Sequence, residues 1–198
     1  MFLIDENWMI TMQEELNQFE RNDVWELILK PSNQFIIRTK WVFRNKIDEN
    51  DIIVKYKVRL VTQGFNQEKG IDYKVTFALV ARLEAIRMLL ASVCFKDFIL
   101  YQMDVKSAFL NGFIMEEVYV EQPLNFTSFD FPNYVYKLKK ILYGLKKAPR
   151  AWYDRLSKFF LENGFKMGKI DTTLFIKNQR KWYVYSSNIC QWYYICCY

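Results

Sequence analysis

Trp8, Met12, Leu16 and Phe19 recur at intervals of four, four and three residues. That spacing lines up one face of a helix and predicts an amphipathic segment from about Glu6 to Asn22. Val24 to Leu29 follows as an apolar strand, and Lys30-Pro-Ser-Asn33 as a turn. Two longer strands, Phe35 to Ile47 and Ile52 to Val61, flank the polar run Asp48-Glu-Asn-Asp51 and predict a hairpin. In its second strand Lys55, Lys57 and Arg59 alternate with Tyr56, Val58 and Leu60, so the three cations share one face and the apolar residues the other. Ala81 to Lys96 is helical, with Ile86, Leu89, Leu90 and Val93 on one side, and leads into an apolar strand, Phe98 to Met103. That strand stops at Asp104, ahead of a short apolar turn, Ala108-Phe-Leu110, closed by Asn111-Gly112.

Short strands follow at Val118 to Pro123 and Tyr134 to Leu138. A helix has Pro149 in its first turn, runs through Trp152, Leu156, Phe159 and Phe160, and ends at Gly164. Thr172 to Ile176 and Lys181 to Tyr185 form a last strand pair. No internal repeat or low-complexity linker divides the chain. The pattern predicts a single α+β domain in which an antiparallel sheet packs with helices.

Composition narrows the chemistry. In 198 residues, 52% apolar and 18% aromatic content exclude a disordered chain. The net charge of +6 suits an anionic partner such as nucleic acid, and equally an ordinary basic surface. There is no histidine, which removes histidine general bases and the usual zinc sites. The four cysteines, Cys94, Cys190, Cys196 and Cys197, lack zinc-ligand spacing; Cys94 is expected in the core and the compartment is expected to be intracellular and reducing, cytoplasm or nucleus. No apolar run reaches the length of a membrane span, and no targeting segment is expected.

Two features carry candidate chemistry. Asp104 sits where a strand ends, a place that presents a hard oxygen ligand at the lip of a cleft and equally serves as a turn or helix cap. The stripe Lys55, Lys57, Arg59 can hold phosphates or simply be a solvated face.

The residues around Asp104, Asp-Val-Lys-Ser-Ala-Phe-Leu-Asn-Gly112, resemble the first catalytic motif of copia-type retrotransposon reverse transcriptases. The resemblance continues in order from Trp25 to Tyr185. Its pieces include Lys40-Trp-Val-Phe, Tyr56-Lys-Val-Arg-Leu-Val, Gly70-Ile-Asp-Tyr, Thr76-Phe-Ala-Leu-Val-Ala-Arg82, Glu117-Val-Tyr-Val-Glu-Gln-Pro123, Leu142-Tyr-Gly-Leu-Lys-Lys-Ala-Pro-Arg150 and Asp171-Thr-Thr-Leu-Phe175. Each is weak alone; the ordered set is specific. It implies an RNA-directed DNA polymerase domain of right-hand architecture from a Pol polyprotein. Residues 1 to about 82 would be fingers, 83–185 a partial palm with fingers elements, and 186–198 an aberrant tail.

The implied chemistry is nucleotidyl transfer assisted by two Mg²⁺ ions about 4 Å apart. The implied partners are an RNA template, a DNA primer and deoxynucleotide triphosphates, with no membrane involved. By the same resemblance, Asp104 is the metal-binding catalytic carboxylate, and the backbone of Val105 helps the second metal. Lys57 and Arg59 clamp the incoming triphosphate, without a decision between them. Phe109 lies under the sugar and excludes a ribose 2′-hydroxyl. Lys147 occupies the position of a nucleotide-contacting glutamine, and Lys55 and Arg150 belong to the nucleic-acid surface.

Five departures from the family pattern bear on activity. Lys147 replaces a neutral amide by a cation. Leu79 stands for the usual proline, Gln63 for lysine before Gly64-Phe65, and Asn125 for glycine. Most important, the Tyr-Val-Asp-Asp hairpin is missing, and no acidic residue follows Asp171. The expected product is a truncated, inactive remnant without the rest of its polyprotein; the alternative is a non-catalytic, nucleic-acid-binding α+β domain. Plausible codons for Asn188 to Tyr198, read one base forward, give Ile-Tyr-Val-Asn-Gly-Ile-Ile-Phe, so the tail is expected to be a frameshifted form of the old hairpin. Without that hairpin the palm sheet is expected to expose an unpaired edge and the isolated chain to aggregate.

Overall fold

The computed structural model describes residues 5–67, 82–95, 99–177, 182–186 and 192–197. In chain order its elements are α1 (Glu6–Arg21), β1 (Trp25–Leu29), β2 (Ile36–Ile37), β3 (Thr39–Ile47), β4 (Ile53–Thr62), α2 (Leu83–Phe95), β5 (Ile99–Asp104), β6 (Tyr119–Val120), β7 (Tyr134–Leu138), α3 (Ala148–Glu162), β8 (Lys166–Met167), β9 (Leu174–Lys177), β10 (Trp182–Ser186) and β11 (Trp192–Cys197). The fold is α+β. It forms two compact units, Met1–Val75 with Phe109–Ala148, and Thr76–Ala108 with Pro149–Tyr198.

In the first unit, α1 forms where the apolar spacing predicts it. The Asp5 side chain caps its N-terminus by accepting from the Asn7 N–H. Its end is closed by Asp23 in a left-handed conformation, φ 48°, while the Val24 and Asp23 N–H groups donate to the carbonyls of Phe19 and Glu20. Met12, Leu16 and Phe19 are buried, and Trp8 meets Phe43 and Tyr56 edge-on. α1 therefore lies on the apolar face of the β3–β4 hairpin. A four-stranded sheet, ordered β1-β7-β6-β2, completes this unit. Trp25 stacks on Tyr136 with 4.0 Å between ring centroids and meets Phe19 edge-on, an arrangement worth about 0.5–1.5 kcal/mol per aromatic pair beyond area burial.

The stretch Phe35 to Ile47, expected as one strand, is two. The chain changes sheets at Arg38, whose carbonyl accepts from Gln63 N–H: β2 pairs with β6, and β3 pairs with β4. The β2–β6 pairing is parallel, so the expectation of a wholly antiparallel sheet is corrected at this point.

The second unit holds a five-stranded sheet, ordered β5-β11-β10-β9-β8. α3 buries Trp152, Tyr153, Leu156 and Phe160. The Phe160 ring lies 4.9 Å from that of the fully buried Phe175 and 5.1 Å from that of Phe165. Tyr153 donates its hydroxyl to the Thr172 carbonyl. α3 ends at Gly164, φ 81°, where the N–H groups of Phe165 and Gly164 reach back to Phe160 and Leu161. Asp171 is structural: its Oδ1 accepts from both the N–H and the hydroxyl of Thr173 at the entrance to β9.

One sequence expectation fails here. Cys94 is exposed, because it lies in the last turn of α2 beside Phe95, which is itself 87% exposed. β5 ends the sheet order, so only its side facing β11 has a strand partner among the described residues. The tail residues Trp192–Cys197 form β11, which bonds to β10 on one side and to the whole of β5 on the other. Tyrosine, tryptophan and isoleucine are strand formers, so a segment read as aberrant has the composition the vacant edge requires. The segment from Gly70 to Ala81, with Leu79, lies outside the described residues.

Candidate functional site

The pairing of β3 with β4 sets Lys46 opposite Lys55, Arg44 opposite Lys57, Val42 opposite Arg59, and Lys40 opposite Val61. Directly opposed residues share a face. The three cations read from β4 are therefore joined by Lys40, Arg44 and Lys46 of β3, and the face opposite α1 is a ribbon of six positive charges. Lys40, Arg44, Lys46 and Lys55 are exposed; Lys57 and Arg59 are half-buried. Like charges directly across a strand pair destabilise it, so a bound polyanion would relieve strain that the protein itself carries. The β3 contribution could have been read from the alternation in Lys40-Trp-Val-Phe-Arg-Asn-Lys46, had the hairpin register been applied.

At the far end of β4 the cation side chains meet a second segment. The Tyr143 carbonyl accepts from both the N–H and the hydroxyl of Thr62, at 2.8 and 3.0 Å. The next residue, Gly144, has φ 95°, and a Cβ there would stand 2.0 Å from the Thr62 carbonyl oxygen. One built on Gly64 would stand 2.3 Å from the Gly144 oxygen. Only glycine permits so close an approach of two backbones. Lys146 adds two more bonds to Gln67, one from its N–H and one from its Nζ. On this clamp, the Arg59 guanidinium lies over the Tyr143 ring, 4.3 Å from its centroid. Phe109 meets the same ring edge-on at 5.0 Å. Arg59 and Phe109, singled out separately in the sequence, are thus brought together through Tyr143, a residue the sequence reading did not mark.

One acid works against the cations. Glu15 of α1 is half-buried. Its burial pushes the carboxyl above the usual range, more than the charges of Arg59 and Lys57 and the Leu60 N–H pull it down.

The other basic candidates are engaged within the fold. Lys147 pairs with Glu116, so the charge that replaces the family's amide is matched locally. Lys137 pairs with Glu117, and Lys139 with Asp23 and Glu26. Lys140 donates to the Asn22 carbonyl. In the second unit Arg150 pairs with Asp154 one helical turn on.

Asp104 is the last residue of β5, and half-buried Val105 follows it. The residue opposite Asp104 on β11 is Trp192, and Tyr193 is opposite Met103. Two Mg²⁺ ions take several hard oxygen ligands. Trp192 and Tyr193, in register with the end of β5, carry no carboxylate, so this donor set does not fit such a pair. Among the described residues, no group of three or more potential metal ligands comes together, and no helix is long and apolar enough to cross a membrane.

Residues 22–185 match the family model described as reverse transcriptase (RNA-dependent DNA polymerase). The chain is 41% identical over 184 residues to the retrovirus-related Pol polyprotein from transposon RE1 of Arabidopsis thaliana, covering 92% of this chain and 13% of that protein. It is 37% identical over 182 residues to the polyprotein from transposon RE2 of the same plant, 91% of this chain and 12% of that one. It is 38% identical over 169 residues to the polyprotein from transposon TNT 1-94 of Nicotiana tabacum, 85% and 13%. The chain thus spans about an eighth of the length of these curated relatives. It belongs to the reverse transcriptase (RNA-dependent DNA polymerase) family, as a reverse transcriptase domain of the copia-type Pol polyprotein kind.

Proposed function

We propose that this chain is a nucleic-acid- and nucleotide-binding reverse transcriptase domain that does not polymerise by itself. The observation that carries the binding is the six-cation face of the β3–β4 ribbon, with two like-charged pairs set directly opposite each other. Its polyanion is the phosphate backbone of an RNA template paired with a DNA primer. Lys55, Lys57 and Arg59 serve it from β4. The runs Lys137 to Lys140 and Lys146 to Arg150 add to this binding, each cation there held by an acid or a carbonyl of the fold.

Arg59 receives the triphosphate of an incoming nucleotide, and Phe109 packs under its sugar. What supports this is their meeting at one ring, Tyr143. In this reading the hairpin and the segment 109–148 that clusters with it act as fingers, and the sheet ending at Asp104 as a partial palm. Asp104 is the remaining catalytic carboxylate. Mg²⁺ is the family's expected ion; since the donor set does not fit two of them, no transfer step is assigned to this chain.

The test is binding of a primer–template duplex at several salt concentrations. Neutralising phosphates releases counterions, so affinity should fall steeply between about 50 and 200 mM salt, on the order of tenfold or more for a few phosphates. A flat salt response, or no change on replacing Lys57 and Arg59 by alanine, would remove the reading.

A further inference from the structure

We propose that Tyr143 is a positioning residue that holds Arg59 ready for a triphosphate and ties that hold to the sugar-facing ring of Phe109. This rests on the assignment of Arg59 and Phe109 given above and adds a residue to it. An arginine on a strand surface has several side-chain torsions to order, and ordering a long side chain on binding subtracts from affinity. Stacked over an aromatic ring, the guanidinium is held by its face while its N–H edges stay directed outward for phosphate oxygens. The Arg59 guanidinium carbon lies over the Tyr143 ring, 4.3 Å from its centroid, within the range of a cation–π contact.

The ring is itself fixed. Its carbonyl is held twice by Thr62, three residues along β4 from Arg59, and Gly144 is wedged on the Thr62 backbone. Strand, turn and ring therefore move as one piece. Phe109 packs edge-on against the same ring, so a shift of Tyr143 disturbs both ends of a bound nucleotide.

Calorimetric titration of the full chain tests this, with inorganic tripolyphosphate as a probe without a sugar, and with deoxy- and ribonucleoside triphosphates as probes of the sugar. Tyr143→Leu should weaken tripolyphosphate binding about three- to tenfold, the size of one cation–π interaction, and narrow the preference for the deoxy form. Tyr143→Phe keeps the ring and should bind like the parent. Arg59→Lys keeps the charge but not the planar stack, and should lose affinity while becoming indifferent to Tyr143→Leu. Circular dichroism confirms folding, and if the leucine variant does not fold, the Phe and Lys variants decide. Should Arg59→Ala leave tripolyphosphate binding unchanged, the underlying assignment fails and this role with it. If Arg59→Ala weakens binding but Tyr143→Leu does not, or Tyr143→Phe is as damaging as Leu, or Arg59→Lys binds like the parent, the positioning role alone is overturned.

Discussion

Trp192 stands directly opposite Asp104 in the antiparallel pairing of β5 with β11. The relationship has two sides. Structurally, β11 pairs with β5 along its whole length, from Cys197 opposite Ile99 to Trp192 opposite Asp104. Chemically, it puts a tryptophan, which has no oxygen ligand in its side chain, at the sheet position opposite the strand-end aspartate. Strand pairing and catalysis are therefore separate questions, tested by different measurements.

The ribbon face sets the salt dependence of binding. Each phosphate that the protein no longer neutralises should lower the slope of log affinity against log salt by about 0.9. Lys57→Ala and Arg59→Ala together should therefore flatten the slope by about 2. Lys137→Ala, whose partner is Glu117, should change it far less. Titrations of a fluorescent duplex across a salt series measure both.

Glu15 makes stability depend on pH in the direction opposite to most carboxylates. Its native value is raised above the usual 4.5 by burial. Between 4.5 and that raised value the folded chain binds more protons than the unfolded one, so stability falls as pH rises through this window and is level above it. Glu15→Gln should remove that slope and stabilise the protein at neutral pH. It should also tighten polyanion binding, since it removes a negative charge that Lys57 and Arg59 sense. Chemical denaturation at a series of pH values, with and without the substitution, checks the sign.

Gly144 and Gly164 both have positive φ, 95° and 81°, but only Gly144 is crowded. A Cβ at Gly164 would meet nothing nearer than Lys177 Cε at 3.9 Å, so Gly164→Ala pays only for the backbone conformation, about 1 kcal/mol. Gly144→Ala adds a collision with the Thr62 carbonyl and Val61 Cγ1, and should cost about 2–4 kcal/mol. Comparable losses for the two variants in thermal unfolding would contradict the close approach of β4 and the 142–147 turn.

Helices were the most legible part of the sequence. Periodicity placed α1, and Pro149 and Gly164 bounded α3, each within a residue or two. Strand identity was legible, and so were the local pairs β3–β4 and β9–β10, but the long-range pairings were not. Nothing local tells Ile36-Ile37 to leave the hairpin for a distant parallel partner, since Ile36 meets Tyr119 only in the folded sheet. The tail escaped for the same reason: Trp192–Cys197 carries no motif, and its role comes from an open edge on β5. Among the candidate residues, Asp104 of the second unit and Lys57, Arg59 and Phe109 of the first stand in recognisable motifs. Tyr143 also lies in a motif, Leu142 to Arg150, but its role, like that of Glu15, comes only from what packs against it.

The most direct measurement is primer extension by the isolated chain on an RNA template, with Mg²⁺ and all four deoxynucleotide triphosphates, alongside a binding assay on the same duplex. The duplex should bind and no primer should lengthen, because one carboxylate with Trp192 as its strand neighbour cannot organise the ions that nucleotidyl transfer requires. Extension that disappears on Asp104→Asn would contradict this outright, showing that the chain assembles a working metal site from the residues it has.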